Sequence, residues 1–213
     1  MPISTLNRLT YITLILSFAT IVSCGTTPSA PTSHIPAIEI PSDSLCSADL
    51  VFRLGRTLQS EAIAAGADRE TRYSHVGIII RQADSLSVIH IEPCRDGDEM
   101  VKCENLEDFF AYDKAVYGVI VRLENLTAEQ RDRIQQAALS ATLSHISFDH
   151  DYRLSDTTQM YCTELAEWAY SKEADISLSE GRCHRLPLAT EPVILPQDIL
   201  RRTDIIRIWE FTY

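Results

Sequence analysis

The stretch that decides the fold is residues 73–92, YSHVGIIIRQADSLSVIHIE, in which two apolar β-branched runs flank a short polar link. This pattern predicts a β-hairpin. A two-residue turn in the middle of the link would place Glu92 directly opposite His75, with the two Cβ atoms about 5 Å apart. His90 would lie on the same face as Glu92, because side chains alternate along a strand with a period of two.

A second informative stretch is residues 162–174, CTELAEWAYSKEA, which predicts a helix that begins at Cys162. Free N–H groups and the positive end of the helix dipole would lower the pKa of this thiol and favour the thiolate, which is the nucleophile. The same N–H groups could stabilise an oxyanion. Taken alone, Cys162 could equally be a small apolar residue on a buried stripe with Leu165 and Ala169.

A histidine inside so apolar a strand suggests a partner for the cysteine. His75 could act as the base for Cys162, or it could be a buried histidine of the sheet. A cysteine–histidine pair needs a third group to orient the imidazole, and Glu92 and His90 compete for that position.

The remaining sequence mixes strands and helices without a regular βαβ alternation, which predicts an α+β fold with an antiparallel sheet packed against helices. Strands are predicted at residues 48–54, 73–81, 86–92, 115–123 and 204–211. Helices are predicted at residues 56–65, 105–112, 127–143 and 162–174, and a loop at residues 179–196. Thr127 and Gln130 have the spacing of a capping box, and the helix that they open should turn Ile134, Ala138 and Ala141 toward the core.

In this order the motifs resemble a known family. Residues 48–52 (ADLVF), 73–78 (YSHVGI), 89–92 (IHIE), 148–149 (FD) and 161–165 (YCTEL) follow the pattern of the circularly permuted papain-like amidases of the NlpC superfamily, the YaeF/YiiX group. The histidine precedes the cysteine, the reverse of papain. Ala48 stands where the family usually has glycine, and Thr163 where it usually has serine.

The resemblance implies a papain-like cysteine hydrolase domain over residues 46–213. It implies Cys162 as nucleophile, His75 as general base and Glu92 as the orienting acid. His90 stays the competing third residue, and Tyr161 either shapes the pocket or packs.

The chemistry that the resemblance implies is acyl transfer through a thioester on Cys162, with an amide- or ester-containing envelope substrate. A peptidoglycan peptide and an acyl-amino-acid or lipid-like amide both remain open. The alternatives are a lipid acyltransferase with the same thioester chemistry and a non-catalytic binding lipoprotein.

No cofactor and no metal ion are expected. A zinc site built from Cys94, Cys103, Cys183 and His184 would lack the usual paired spacing. In an exported protein, Cys94 and Cys103 could instead close a disulfide loop.

The N-terminal region predicts export and a lipid anchor. Residues 1–23 resemble a bacterial lipoprotein signal peptide, whose apolar run is too short to span a membrane. The signal ends before Cys24, so the resemblance implies lipidation of Cys24 and attachment to the cell envelope on its periplasmic or cell-surface face. Residues 24–45, rich in Pro, Ser and Thr, predict a tether.

The charge balance excludes other partners. With 30 acidic and 19 basic residues the net charge is −11, so the chain lacks the basic excess that binding to nucleic acid requires. Electrostatic adsorption to an anionic membrane is excluded for the same reason. The sequence leaves the oligomeric state open.

Overall fold

The computed structural model describes residues 37–65, 67–94, 97–156, 158–186 and 189–213, which form an α+β domain. Its strands are β1 (Asp49–Gly55), β2 (His75–Gln82), β3 (Ser85–His90), β4 (Lys102–Asn105), β5 (Ala115–Leu123), β6 (Ser147–Phe148), β7 (Gln159–Met160) and β8 (Ile205–Thr212). Six of them form an antiparallel sheet in the order β4-β3-β2-β1-β5-β8, and β6 pairs with β7 in parallel.

Five α-helices are present in the described residues. They are α1 (Leu58–Ala64), α2 (Leu106–Phe109), α3 (Ala128–Leu143), α4 (Cys162–Ala174) and α5 (Pro196–Leu200). The predicted capping box opens α3: the backbone N–H of Gln130 donates to Thr127 Oγ1 over 3.1 Å, and the backbone N–H of Thr127 donates to Gln130 Oε1 over 2.9 Å. The predicted core residues of α3 are all buried, namely Ile134, Ala138 and Ala141.

The predicted hairpin is confirmed, and so is its register. Ile78 pairs with Ile89 and Gln82 with Ser85, as a two-residue turn between the strands requires. Strand β3 nevertheless ends at His90, so Glu92 lies beyond the strand and not within the predicted range to residue 92. Pro93 follows Glu92 and has no N–H with which to continue the ladder.

Both faces of the sheet are buried. Leu50 and Phe52 of β1 pack in the apolar cluster to which α3 and α4 contribute, whereas Val51 packs in a second cluster with Phe109 of α2. A strand covered on both sides needs apolar residues at nearly every position. This explains the continuous apolar runs of the central strands.

The short elements that were not predicted include one strand and one helix near the site described below. Strand β4 forms the edge of the sheet beside β3, and α5 begins at Pro196, which the prediction had placed in a loop. Proline suits the first turn of a helix because its missing N–H would have no partner there. Helix α5 follows directly on the residues that line the site described below.

Part of the segment before the first strand packs on the domain. Ile38 and Ile40 contact the second cluster. No helix in the described ranges is long and apolar enough to cross a membrane. The predicted signal peptide and Cys24 lie outside the described residues.

Candidate active site

The cysteine and the histidine line the same cleft. His75 is the first residue of β2, Cys162 is the first residue of α4, and both line a cleft of about 760 Å³. The backbone N–H of Val76, which follows His75, lies close enough to the sulfur of Cys162 to oppose the rise in the pKa of this thiol. Residues 87 positions apart in the sequence therefore meet at one place.

The imidazole of His75 is enclosed by aromatic rings. His75 Nε2 lies 2.8 Å from Nδ1 of His90, within hydrogen-bonding distance. Phe109 stacks on the other side, with ring centroids 5.5 Å apart and planes 22° apart. Glu92 Oε2 is more distant, at 3.9 Å from His75 Nε2. Of the two competing third residues, His90 makes the closer contact with the ring.

A carboxylate lies behind His90. Glu104 Oε1 is 2.8 Å from His90 Nε2, although the angle departs from hydrogen-bond geometry. Lys114 Nζ holds the other Glu104 oxygen at 2.7 Å. Burial raises the pKa of Glu104, but its contacts with His90 and Lys114 prevail and lower this pKa to about 2. The carboxylate therefore stays ionised behind the histidine pair.

Glu92 is held by two cations. Arg53 Nη2 donates to Glu92 Oε2, and Lys102 Nζ donates to Glu92 Oε1 over 2.6 Å. Burial raises the pKa of Glu92, but its interactions with His75 and with the cation of Arg53 prevail and hold this pKa well below its usual range. Glu92 therefore contributes a negative charge near His75 while its oxygens are bonded to other groups.

The sequence predicted a lowered pKa for the thiol of Cys162, and the structure gives the opposite direction. Burial raises the pKa of Cys162 to about 11, although the N–H groups of Val76 and Thr163 oppose this rise. Burial, followed by the charges of Arg53 and His90, lowers the pKa of His75 well below 6.5. Desolvation outweighs the end of the helix, so the resting pair is a neutral thiol and a neutral imidazole.

Tyr161 supports the wall of the cleft. Its hydroxyl accepts a hydrogen bond from the backbone N–H of Ile194 over 3.0 Å. On the other side of Cys162, Thr163 Oγ1 donates to the carbonyl oxygen of Ile194 over 2.6 Å. Tyr161 and Thr163, on either side of Cys162, therefore satisfy both backbone polar groups of Ile194.

Three residues of the site were missed from the sequence: Arg53, Glu104 and Phe109. Arg53 is buried, and a charged residue inside an otherwise apolar strand is a signal that is visible in the sequence. Glu104 lies on the unpredicted strand β4, and Phe109 is one apolar residue among many. Only the packing of α2 against the sheet brings Phe109 onto the imidazole.

The disulfide considered between Cys94 and Cys103 is not formed in the structure. Cys94 and Cys103 are exposed and carry free thiols. His184, considered for a zinc site, has its Nε2 2.7 Å from Asp198 Oδ1.

Comparison with known proteins agrees with this fold. A family model of the permuted papain-like amidase enzymes, the YaeF/YiiX C92 family, matches residues 45–204. The chain belongs to this family. Members of the C92 family are papain-like cysteine amidases or peptidases, so this chain is a cysteine hydrolase by class.

A solved structure has the same fold. The crystal structure of metalloprotein yiiX from Escherichia coli O157:H7 superposes with a TM-score of 0.64 and 20% sequence identity, covering 79% of this chain and 98% of that chain. No curated protein matches this C92 chain. The family model and the solved structure confirm the permuted papain-like fold that the motifs predicted.

Three side chains of the site could offer donor atoms to a metal ion. Donor atoms of His75, His90 and Glu92 lie within 4.8 Å of one another. The two imidazoles, however, are within hydrogen-bonding distance of each other. Both carboxylate oxygens of Glu92 already accept hydrogen bonds, from Arg53 and Lys102. The guanidinium would also repel a cation. As arranged, these residues do not fit a metal ion.

Proposed function

We propose that this C92 chain is a cell-envelope amidase in which Cys162 is the nucleophile and His75 is the general base and acid. The observation that carries the proposal is the cleft that Cys162 and His75 share, with each of them the first residue of its helix or strand. His90 orients the ring of His75 through Nε2, and Glu92 adds negative charge nearby.

The proposed reaction starts from the neutral pair. The sulfur of Cys162 attacks the amide carbonyl while His75 takes the thiol proton, so the C–S bond forms as the proton leaves. The C–N bond then breaks, and the amine leaves with the proton from His75. Water hydrolyses the thioester, which releases the acid and restores the thiol. Backbone N–H groups at the start of α4 can stabilise the oxyanion.

The test is detection of the acyl-enzyme by intact-mass spectrometry. The full chain is mixed with an acyl p-nitrophenyl ester, and the adduct is located by peptide mapping. We expect the acyl group on Cys162, loss of the adduct in Cys162→Ala, and retention in Cys103→Ala, which removes an exposed thiol. Equal hydrolysis of an acyl p-nitroanilide by the Cys162→Ala variant and by the wild type would refute the proposal.

We also propose that Cys24 is lipidated and anchors the enzyme to the envelope. The support is the sequence before this residue, an apolar run that ends in Ile21-Val22-Ser23. Mass spectrometry of the protein expressed in a bacterium should find a diacylglyceryl mass on Cys24. Release of Cys24→Ser, but not of Cys46→Ser, from the membrane fraction would agree. Membrane retention of both variants would contradict the anchor.

A further inference from the structure

The six-stranded sheet ends on one side in a long apolar strand. Strand β8 is the last strand in the sheet order, and in the described part of the chain the backbone of residues 205–212 makes hydrogen bonds only to β5. The opposite edge, β4, has four residues and includes the charged side chains of Lys102 and Glu104. Proteins commonly protect an edge by making it short or charged. Strand β4 follows this rule, whereas β8 is eight residues long and half of them are Ile, Trp or Phe at the least.

Two hydrogen bonds show which backbone groups of β8 point away from the sheet. The N–H of Tyr213 donates to the carbonyl of Val116 over 3.0 Å, and the N–H of Glu124 donates to the carbonyl of Asp204 over 2.8 Å. Residues 213 and 204 therefore direct their backbone groups toward β5. These groups alternate in direction along an antiparallel strand, so residues 212 and 210 point outward from one end and residues 205 and 207 from the other.

A bulge separates the two ends of the strand. Trp209 pairs with Ile120 and Arg207 with Val121, which leaves Ile208 as the extra residue. An extra residue shifts the alternation by one position. The four outward-pointing residues are therefore placed symmetrically about the midpoint between Ile208 and Trp209.

This symmetry matches a second copy of the same strand. An antiparallel copy of β8, related by a two-fold axis at that midpoint, places residue 205 opposite residue 212 and residue 207 opposite residue 210. Each of these pairs can exchange two main-chain hydrogen bonds. No other axis along the strand brings all four outward-pointing residues opposite one another. The two bulges meet at the axis, so the irregularity that would disturb another partner is shared by both copies.

The side chains on one face agree with the same register. Arg207 of one copy lies opposite Glu210 of the other, so two pairs of opposite charge form across the axis. Within one copy, Arg207 Nη1 is 3.2 Å from Glu210 Oε2, so both side chains lie on the same face of the strand. Opposite charges at facing positions stabilise strand pairing, and like charges disfavour it.

The side chains of the other face are apolar. Ile208, Trp209 and Phe211 pack against the second cluster but are only partly buried, and Ile206 is 42% exposed. In the two-fold register, Ile206 lies opposite Phe211 and Ile208 lies opposite Trp209. Pairing would therefore cover apolar surface that water contacts in the single chain.

We propose that the protein forms a symmetric dimer in which the β8 strands of two copies pair antiparallel about this axis and join their sheets into one. The net charge of −11 on each copy opposes association. Ions at physiological strength screen charges beyond about 8 Å, whereas the facing Arg207 and Glu210 side chains are in contact. None of the described residues that line the cleft beside Cys162 belongs to β8, so the dimer surface is separate from the candidate active site.

The test is sedimentation equilibrium between about 1 μM and 500 μM, since a small interface predicts a dissociation constant in the micromolar range. Every sample is the chain from residue 24 with Cys24→Ser and a reductant, so that neither acyl chains nor disulfides contribute. The wild type should reach twice the monomer mass. Arg207→Glu should raise the dissociation constant at least about tenfold, because two attractive pairs become repulsive.

The reversed pair tests the register. Combining Arg207→Glu with Glu210→Arg restores both facing pairs, so the dissociation constant should return to within about threefold of the wild type. The matched control is Arg133→Glu, which breaks the exposed pair of Arg133 with Glu129 on α3 and should leave association unchanged. Circular dichroism of each variant shows whether it is folded. A monomeric wild type, a dimer that Arg207→Glu does not weaken, or a reversed pair that stays dissociated would overturn the inference.

Hydrogen exchange gives a second measurement that needs no substitution. Amide exchange of peptides that cover residues 205–212 and residues 102–105 is compared at low and high protein concentration. The outward N–H groups of β8 should exchange more slowly at high concentration, because the second copy accepts their hydrogen bonds. The peptide of β4 should show no such change. Protection of β4 in place of β8 would assign the interface to the other edge and would contradict the proposal.

Discussion

Alkylation of Cys162 by iodoacetamide tests the protonation state of the site, because only the thiolate reacts. With a pKa of about 11 against an ordinary value of 9.0, the thiolate fraction of Cys162 at neutral pH is about a hundredfold below that of an ordinary cysteine. The physical cause is burial: a charged sulfur loses its hydration in the cleft, and the N–H groups of Val76 and Thr163 restore only part of the lost stabilisation.

The assay is peptide mass spectrometry after timed alkylation between about pH 5 and pH 10. The exposed thiols of Cys103 and Cys183 serve as internal standards in the same chain. Near neutral pH, Cys162 should be modified more slowly than these two, because burial raises the pKa of its thiol. Its rate should rise about tenfold for each pH unit, because the thiolate fraction does so below the pKa.

The variant His75→Ala separates a neutral pair from an ion pair. In a neutral pair, His75 does not stabilise a thiolate in the resting enzyme, so its removal should leave the alkylation rate unchanged. A rate that is constant below pH 7 in the wild type and falls in His75→Ala would refute the reasoning. That result would mean that the attraction between imidazolium and thiolate exceeds the cost of desolvating both groups.

Three further outcomes follow from the contacts of the site. The pKa of Glu104 falls from 4.5 to about 2 on folding, so its ionisation stabilises the fold above about pH 4.5, and this contribution is lost as pH falls toward 2. Urea unfolding should show Glu104→Gln to be about 3 kcal/mol less stable at pH 7, with a smaller difference at pH 3; a difference independent of pH would argue against it. His90→Ala should lower kcat on an acyl p-nitroanilide roughly a hundredfold, with partial rescue by His90→Asn, whereas Glu92→Gln should cost less than about tenfold; the reverse order would make Glu92 the orienting residue. Gly77→Ala should cost about 1–3 kcal/mol in thermal unfolding, because the added methyl would meet Val88 and lie 3.2 Å from Cβ of His90; an unchanged Tm would show that the sheet can yield there.

Local patterns in the sequence were sufficient for much of the fold. The register of the β2–β3 hairpin follows from a two-residue turn, and the start of α3 follows from the capping box at Thr127. These features depend on residues that are near one another in the chain. Strand β4 and helix α5 were not predicted, because a four-residue edge strand of alternating exposure and a short helix after a proline carry little periodicity.

The candidate site was only partly predictable. The motifs around His75 and Cys162 could be recognised, but the partner of the imidazole could not. Both Glu92 and His90 lie on the expected face, and the choice between them depends on where β3 ends and on the cations that hold Glu92. These are contacts between residues that are distant in the sequence.

By itself the sequence determined the secondary structure around the two reactive side chains, because hydrophobic periodicity, turns and caps are short-range properties. Only the tertiary structure decided the chemistry of those side chains. Burial sets the charge of Cys162 and His75, and hydrogen bonds to Tyr161 and Thr163 satisfy both backbone polar groups of Ile194. The burial of a group and its hydrogen-bond partners depend on which distant segments of the chain surround it. Residues adjacent in the sequence do not specify those segments.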